Sequence, residues 1–412
     1  NSGVQKVSGT TIFSTASLAS DFFGMSIATH ENLLFVSATG DDGIASSAGT
    51  GYVFQKSGTT WSETDQLTGS GLDASSKFGR STVMSSTHLA VHSPFQYTVG
   101  PSTYLKDRVF IYPIVDGVIQ KTTMQHVSAS IGAHGSAGGA SGFAAPLATE
   151  GDDLFVGIPA GSSSSGVSST GHVLHFKKQR NVWGAPDVAG TNTRNEKYIL
   201  TASVPETFLR LGTSLAFDGT TLAAGAPGQS GGSSTGENFD LGGAVYIYTR
   251  RGESDKFEQA YKIFSNDYQQ GQLFGQQCTL SDGVLAVAAP YWSGDTLQQG
   301  AVYIFSTNSS GVFKQTQRIT SPSPGGYSNG NFGQNVSLSD DLLIEQKTDS
   351  NDEVETYMFK KNETGHWDFL DRISKDQDNN HGTTTPYYRS VIGKDQVFIG
   401  DISEASNDTV TG

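Results

Sequence analysis

Short apolar runs of β-branched and aromatic residues, bounded by Gly, Asn, Asp, Ser or Pro, recur along the whole chain in groups of four. Runs of this kind predict strands. The first run of a group follows a Phe-Gly pair (residues 25–28 and 276–280), drifted to Phe143-Ala144, Leu211-Gly212 and Tyr387-Tyr388 in three copies, and the second is the most apolar (33–36, 89–91, 154–156, 222–224, 284–288, 342–344, 397–399). The third is rich in tyrosine and valine (52–54, 109–112, 173–176, 245–248, 302–305, 357–359). The fourth begins after a Gly or Asn turn and carries a large residue, namely Trp61, Ile119, Trp183, Phe257, Phe313 or Trp367. Tight turns such as Asp218-Gly219 and Asp282-Gly283 join the first run to the second, so each group predicts a four-stranded antiparallel meander, A-B-C-D.

The Phe-Gly position falls at Gly24, Gly79, Ala144, Gly212, Gly275, Gly333 and Tyr388, at intervals of 55, 65, 68, 63, 58 and 55 residues. A repeat of this size marks a solenoid, propeller or array. The last group supplies only A and B. Residues 4–7 and 8–12 at the other end read as C and D, because Ser8-Gly9-Thr10-Thr11 echoes Ser57-Gly58-Thr59-Thr60. The expected fold is all-β: one seven-bladed propeller over residues 1–412, with blade 7 split between residues 1–22 and 383–412 and no free central edge.

Phe-Gly before strand A, Gly-Ala-Pro after strand B (Gly225-Ala226-Pro227) and Gly-Ala-Val-Tyr-Ile-Tyr in strand C (Gly243 to Tyr248) make the chain resemble the FG-GAP repeat family of the integrin α-subunit propeller. The resemblance covers essentially the whole chain. It implies a seven-bladed propeller used outside the cell for adhesion or recognition, with lectins among related propellers. The family's Asp-x-Asp-x-Asp-Gly calcium loops are missing here. The A-to-B turns His30-Glu31-Asn32, Ser86-Thr87-His88 and Ser281-Asp282-Gly283 are too short to wrap the cation, so no family calcium site is carried over.

Composition narrows the partners. Charged residues are 16%, Gly is 50 of 412 and the formal charge is 26 − 40 = −14, so nucleic acid and anionic membranes are disfavoured and a neutral or cationic partner is favoured. No run has the length of a membrane-spanning helix. Cys278, the single cysteine, reads as a small buried hydrophobe. Sequons at Asn308, Asn335, Asn362 and Asn407 point towards an extracellular protein. Asn308 and Asn362 fall in C-to-D turns, and both, with Asn407, are glycan candidates. Asn335 lies in an inner strand and is expected to be bare.

Catalytic chemistry is weakly signalled. Gly228-Gln229-Ser230-Gly231-Gly232 matches a nucleophile pattern but lacks the following helix that would expose the serine. His172 and His175 are three apart on a strand and face opposite ways. Asp376, Asp378 and Asn380 have alternating oxygen spacing, which makes them the one candidate metal set and calcium the one candidate cofactor. The Gly is one place late and Tyr387 stands where a bidentate Glu belongs, so a solvated acidic loop is the preferred reading.

In an A-B-C-D meander the B-to-C and D-to-A loops leave one end of the blade, and here these are the long ones, including 93–107, 128–142, 159–171 and 227–243. They carry aromatics that the strand pattern does not require: Phe95, Tyr97, Tyr104, Phe239, Tyr291, Trp292 and Tyr327. With Asp295 they form the expected ligand site, Trp292 being an exposed anchor. The expected function is a noncatalytic extracellular module for adhesion or assembly that binds a protein partner through the long-loop end. A glycan-binding lectin is the alternative, and an enzyme is disfavoured.

Overall fold

A computed structural model describes residues 12, 21–99, 102–129, 146–161, 167–179, 181–184, 199–230, 240–250, 256–322, 331–348, 354–374, 389–393 and 396–400. They form strands only, with no helix among them. Six antiparallel sheets of the predicted A-B-C-D order follow one another. Blade 1 is β1 (Phe23–His30), β2 (Leu33–Ala38), β3 (Thr50–Ser57) and β4 (Thr60–Leu67). Blade 2 is β5 (Ser81–Met84), β6 (His88–Val99) and β7 (Ser102–Val115), with its outer strand broken into β8 (Val118–Ile119) and β9 (Gln125–Ala129). Blade 3 is likewise β10 (Leu147–Glu150), β11 (Asp153–Ile158) and β12 (His172–Gln179), edged by β13 (Val182–Trp183) and β14 (Ile199–Leu200).

Blade 4 comprises β15 (Leu215–Phe217), β16 (Thr221–Ala226), β17 (Ala244–Arg250) and β18 (Phe257–Ile263). Blade 5 comprises β19 (Cys278–Ser281), β20 (Val284–Ala289), β21 (Ala301–Thr307) and β22 (Phe313–Ile319). Blade 6 comprises β23 (Asn335–Leu338), β24 (Leu342–Thr348), β25 (Val354–Lys361) and β26 (Trp367–Ser374).

The repeated residues have direct packing roles. The Phe of Phe-Gly lies edge-on against two aromatics of its own C strand: Phe274 is 5.5 Å from Tyr303 and 5.9 Å from Phe305, and Phe332 stands likewise against Tyr357 and Phe359. The glycines sit at the seams between blades. Gly243 and Gly300, just before C strands, bridge to Phe274 and Phe332 of the next blade, where a Cβ would meet backbone. At Gly225 and Gly157 a Cβ would strike the carbonyl oxygens of Gly275 and Gly212, each in the next blade. Where Leu211 replaces Phe it stays fully buried and keeps the bridge, to Gly171, so that drifted copy retains its role.

Outer strands carry a bulge at one repeated place, opposite the step from Val53 to Phe54, Ile247 to Tyr248, Ile304 to Phe305 and Met358 to Phe359 on the facing C strands. Such bulges twist an exposed edge away from flat pairing.

The expectation of seven four-stranded blades is corrected to six among the described residues. A two-stranded sheet, β27 (Arg389–Ile392) with β28 (Val397–Gly400), stands between blades 6 and 1, touching β23 and β24 on one side and β1 on the other. It holds only A and B, and most of the segment assigned to C and D (1–22) lies outside the described residues. A second correction concerns residues 93–107, expected as a loop. They continue β6 and β7 into a long hairpin that pairs Phe95 with Lys106 and Tyr97 with Tyr104. Pro94 is accommodated because β5 pairs with β6 only as far as His92, so the missing N–H falls on an open edge.

Candidate functional site

Each C strand begins near the long-loop end, and in blades 1, 4, 5 and 6 a Tyr near its start is buried, where its hydroxyl needs a partner. In blade 1, Tyr52 donates to Asp41 Oδ2 at 2.9 Å, while Asp41 Oδ1 accepts from Thr50 and the Gly43 N–H. In blade 6, Tyr357 donates to Glu355, which also receives Arg372 at 2.7 Å. In blade 4, Tyr246 donates to Gln229 Oε1 at 2.5 Å, Gln229 donates onward to Glu206, and Lys262 stands 5.7 Å over the Tyr246 ring. Burial, with the Glu206 charge adding to it, pushes the Tyr246 phenol well above its ordinary range. Across to the D strand, Gln66 faces Tyr52, Lys262 faces Tyr246, Arg372 faces Tyr357, and in blade 5 Arg318 faces the equivalent Tyr303. The result is a recurring phenol, acid and donor cluster.

Blade 5 departs from the others. Tyr303 is fully buried, and its hydroxyl lies within interaction reach of the Asp267 carboxylate and Ser265 without a well-formed hydrogen bond to either. Burial first, and the neighbouring Asp267 second, push this phenol far above its ordinary range. Gln272, 0% exposed, donates to Ser265 Oγ at 2.9 Å and leaves its Oε1 unpartnered. Asp267 pairs with Arg318 through one oxygen and leaves the other unpartnered. Arg318 lies 4.3 Å over the Trp292 ring, and the Trp292 Nε1–H is also unpartnered. Four polar atoms without a well-formed protein hydrogen bond thus line one seam, two of them, the Tyr303 hydroxyl and an Asp267 oxygen, beside each other. An unmade bond of this kind costs about 1–3 kcal/mol per buried group. The adjoining loop is rigid: Gln269 clamps both the N–H and the carbonyl of Ser293, and Gln299 holds Thr296.

The residues expected at the ligand site are distributed unevenly around this seam. Tyr291 is 38% exposed and donates its backbone N–H to the Gln272 carbonyl, and Asp295 is exposed in the same loop. Trp292 is only 5% exposed and belongs to the core cluster of blades 4 and 5, which corrects its reading as an exposed anchor. It folds back because Arg318 covers its ring and the Gln269 clamp turns the loop inward. Phe95, Tyr97 and Tyr104 are on the β6–β7 hairpin, away from blade 5 in sequence and register. Phe239, Tyr327, Asp376, Asp378, Asn380 and Asn407 lie outside the described residues. Sequence reasoning missed Asp267, Gln272 and Arg318. Only Arg318 had a signal, the recurring Lys, Arg or Gln before the last Ile or Leu of strand D.

Gln229, within the serine-nucleophile pattern, is 1% exposed and holds Tyr246 and Glu206. It serves as a structural strut. Cys278 is buried beside Ser214 Oγ at 3.2 Å, and burial pushes its thiol up to about 11. No three His, Cys, Asp or Glu gather as metal ligands among the described residues.

The tight-turn end holds a second polar network. Thr149 Oγ1 donates to the Asp153 carbonyl, so His88 Nε2 must be protonated to donate to Thr149 at 2.7 Å, leaving Nδ1 to accept from Thr87. Asp153 takes His175 Nε2 at 2.6 Å on one oxygen and Arg250 of blade 4 on the other, and His175 stacks 4.6 Å from Phe155. Despite burial, which acts in the opposite direction, the His175 hydrogen bond and the nearby cations hold the Asp153 carboxyl below its ordinary range. Both oxygens are engaged and the ring is stacked, so this network ties blades 2, 3 and 4 together.

Comparison with protein-family models finds no match, and comparison with curated protein sequences finds no relative. Membership of the FG-GAP family is therefore not carried past resemblance. Solved structures similar to the chain include the periplasmic gluconolactonase PpgL of Pseudomonas aeruginosa, at 14% identity, TM-score 0.45 and 85% of each chain covered. Sqt1 of Saccharomyces cerevisiae is similar at 10% identity and TM-score 0.43, covering 93% of this chain and 81% of its own. Likeness this distant carries no argument about activity. The reading as a noncatalytic adhesion or assembly module that docks a partner through the long-loop end is corrected, because Trp292, the residue meant to anchor that partner, is buried in the core of blades 4 and 5. No helix of the described residues is long and apolar enough to cross a membrane.

Proposed function

We propose that this chain is a propeller that binds a small polar molecule at the long-loop end of blade 5. The observation that supports the reading is the run of buried polar atoms without well-formed protein hydrogen bonds on Asp267, Gln272, Trp292 and Tyr303 along one seam, whose loop also carries the exposed Tyr291. Two acceptors, one donor and one phenol suit a molecule that carries both N–H or O–H donors and an acceptor. The net charge of −14 favours a neutral or cationic one.

The test is a melting-temperature screen of the full chain against a library of small polar metabolites, repeated on Tyr303→Phe and Gln272→Leu. Tyr303→Phe removes a hydroxyl that makes no well-formed protein hydrogen bond, so the fold should tolerate it. A solute that stabilises the parent and loses its effect in both variants supports the reading. A library without effect, or a shift that both variants retain, defeats it. Recovering the bound solute by NMR then separates binding from turnover, since a catalyst returns it altered.

We also propose that residues 1–412 form one propeller, with residues 1–22 completing the seventh position. Ile12 and Phe398 pack on the same cluster as Leu34, Val36 and Phe54 of blade 1. Gly400 meets Gly24 as Gly225 meets Gly275, so the seventh sheet repeats the seam of the others.

A further inference from the structure

The sequons at Asn308 and Asn362 occupy the same place in consecutive repeats. Asn308-Ser309-Ser310-Gly311 joins β21 to β22, and Asn362-Glu363-Thr364-Gly365 joins β25 to β26. Both side chains cap their turn in the same way. Asn308 Oδ1 accepts the N–H of Ser310 at 2.9 Å and of Val312 at 3.0 Å, and Asn362 Oδ1 accepts the N–H of Thr364 and of His366, each at 3.0 Å. The backbone repeats too, with Gly311 and Gly365 at positive φ, donating to the carbonyls of Asn308 and Asn362. At either glycine an added Cβ would meet nothing within 4 Å, so the turns project into open space.

These contacts use the amide oxygen and leave the nitrogen available. At Asn362 one N–H donates to Asp368 Oδ2 at 2.8 Å, and an amide nitrogen has a second hydrogen to lose. Asn335 differs. It sits in β23, paired with Gln346, and its Nδ2 approaches Ser390 Oγ of the seventh sheet at 3.5 Å, so a glycan there would have to enter the seam.

We propose that Asn308 and Asn362 are a pair of N-glycan acceptors, with Asn335 bare. The donor is a lipid-pyrophosphate-linked oligosaccharide. Asn Nδ2 bonds to the sugar C1, the C1–O bond to pyrophosphate breaks with its electron pair leaving on the lipid pyrophosphate, and Nδ2 yields one proton to a base of the transferase. The remaining N–H and the oxygen keep every turn contact above. Both glycans stand at the tight-turn end, because C-to-D and A-to-B turns leave the same end of a meander. The long-loop end stays uncovered.

The test is secretion of the full chain, behind a secretory signal, from a eukaryotic host, followed by peptide-N-glycosidase treatment in heavy-oxygen water and peptide mapping. Asn308 and Asn362 should carry the label and Asn335 should not. Asn308→Gln and Asn362→Gln should each remove one glycan, and the double variant two. Translation in microsomes reads the same gel shifts independently of folding, because transfer acts on the emerging chain. Two unoccupied sites, a single occupied site, or an occupied Asn335 in the secreted protein each overturns the proposal.

Discussion

Gly225 of blade 4 faces the carbonyl oxygen of Gly275 in blade 5 so closely that a Cβ on Gly225 would stand under 3.0 Å from it. The same close approach recurs between Gly157 and Gly212 and between Gly400 and Gly24, so the glycine of Gly-Ala-Pro and that of Phe-Gly are two halves of one blade seam. Gly225→Ala should therefore force blades 4 and 5 apart and destabilise the protein by about 1–3 kcal/mol, the usual cost of overpacking. Gly58→Ala is the control, since Gly58 has positive φ but open space around it, and should cost only about 1 kcal/mol. Equal losses in denaturant midpoint would mean that the seam yields freely.

Trp292→Ala should destabilise by about 3–5 kcal/mol, the range for removing a buried aromatic, and this departs from the behaviour of an exposed binding residue. Tyr291→Ala, in the adjacent exposed position, should change stability by no more than about 0.5 kcal/mol. Chemical denaturation of the two variants separates these positions. Comparable small effects would return Trp292 to the surface.

Residues repeated at a fixed period were legible because each repeat reports the same contact: Phe274 and Phe332 both pack on a C-strand Tyr-x-Phe, and Gly243 and Gly300 both abut the next blade. The blade-5 seam was not. Asp267 and Gln272 lie in a D-to-A loop with no period, and alternation says nothing about where a loop such as 291–299 folds. The meander order places Phe95 and Tyr97 in a B-to-C loop, whereas β6 and β7 run on past the blade as a paired hairpin.

The pH dependence of stability should bear the mark of His88. Burial, with Lys178 adding to it, lowers this imidazole from 6.5 to about 4, so the folded protein resists a proton that the unfolded chain accepts. A base with a depressed folded value favours folding at high pH, and that contribution is lost as pH falls from about 6.5 towards about 4. Its size is on the order of 3 kcal/mol. Asp153, also held low, adds loss only below the ordinary carboxyl range. In His88→Gln the slope of unfolding free energy between pH 6.5 and 4 should flatten. An unchanged slope would assign acid sensitivity elsewhere.

Closure of the ring is tested at its ends. β28 is a B strand whose outer edge has no C strand among the described residues, while every other B strand, from β2 to β24, pairs with one. Phe398 stands 5.4 Å from Trp61 of blade 1, and Trp61 donates to Gln396, so the seventh sheet is already docked on blade 1. Among the described residues nothing covers its outer edge, which is the place proposed for residues 1–17. Removing residues 1–17 should expose that edge and the apolar face around Phe398, lowering the melting temperature and promoting self-association. Residues 18–22 are kept so that Asp21, which accepts from the Gly40 N–H at 2.8 Å, still holds blade 1. A truncated protein that melts with the intact one and stays monodisperse would show the N-terminal residues to be an appendage, leaving blade 7 as the two-stranded sheet β27–β28.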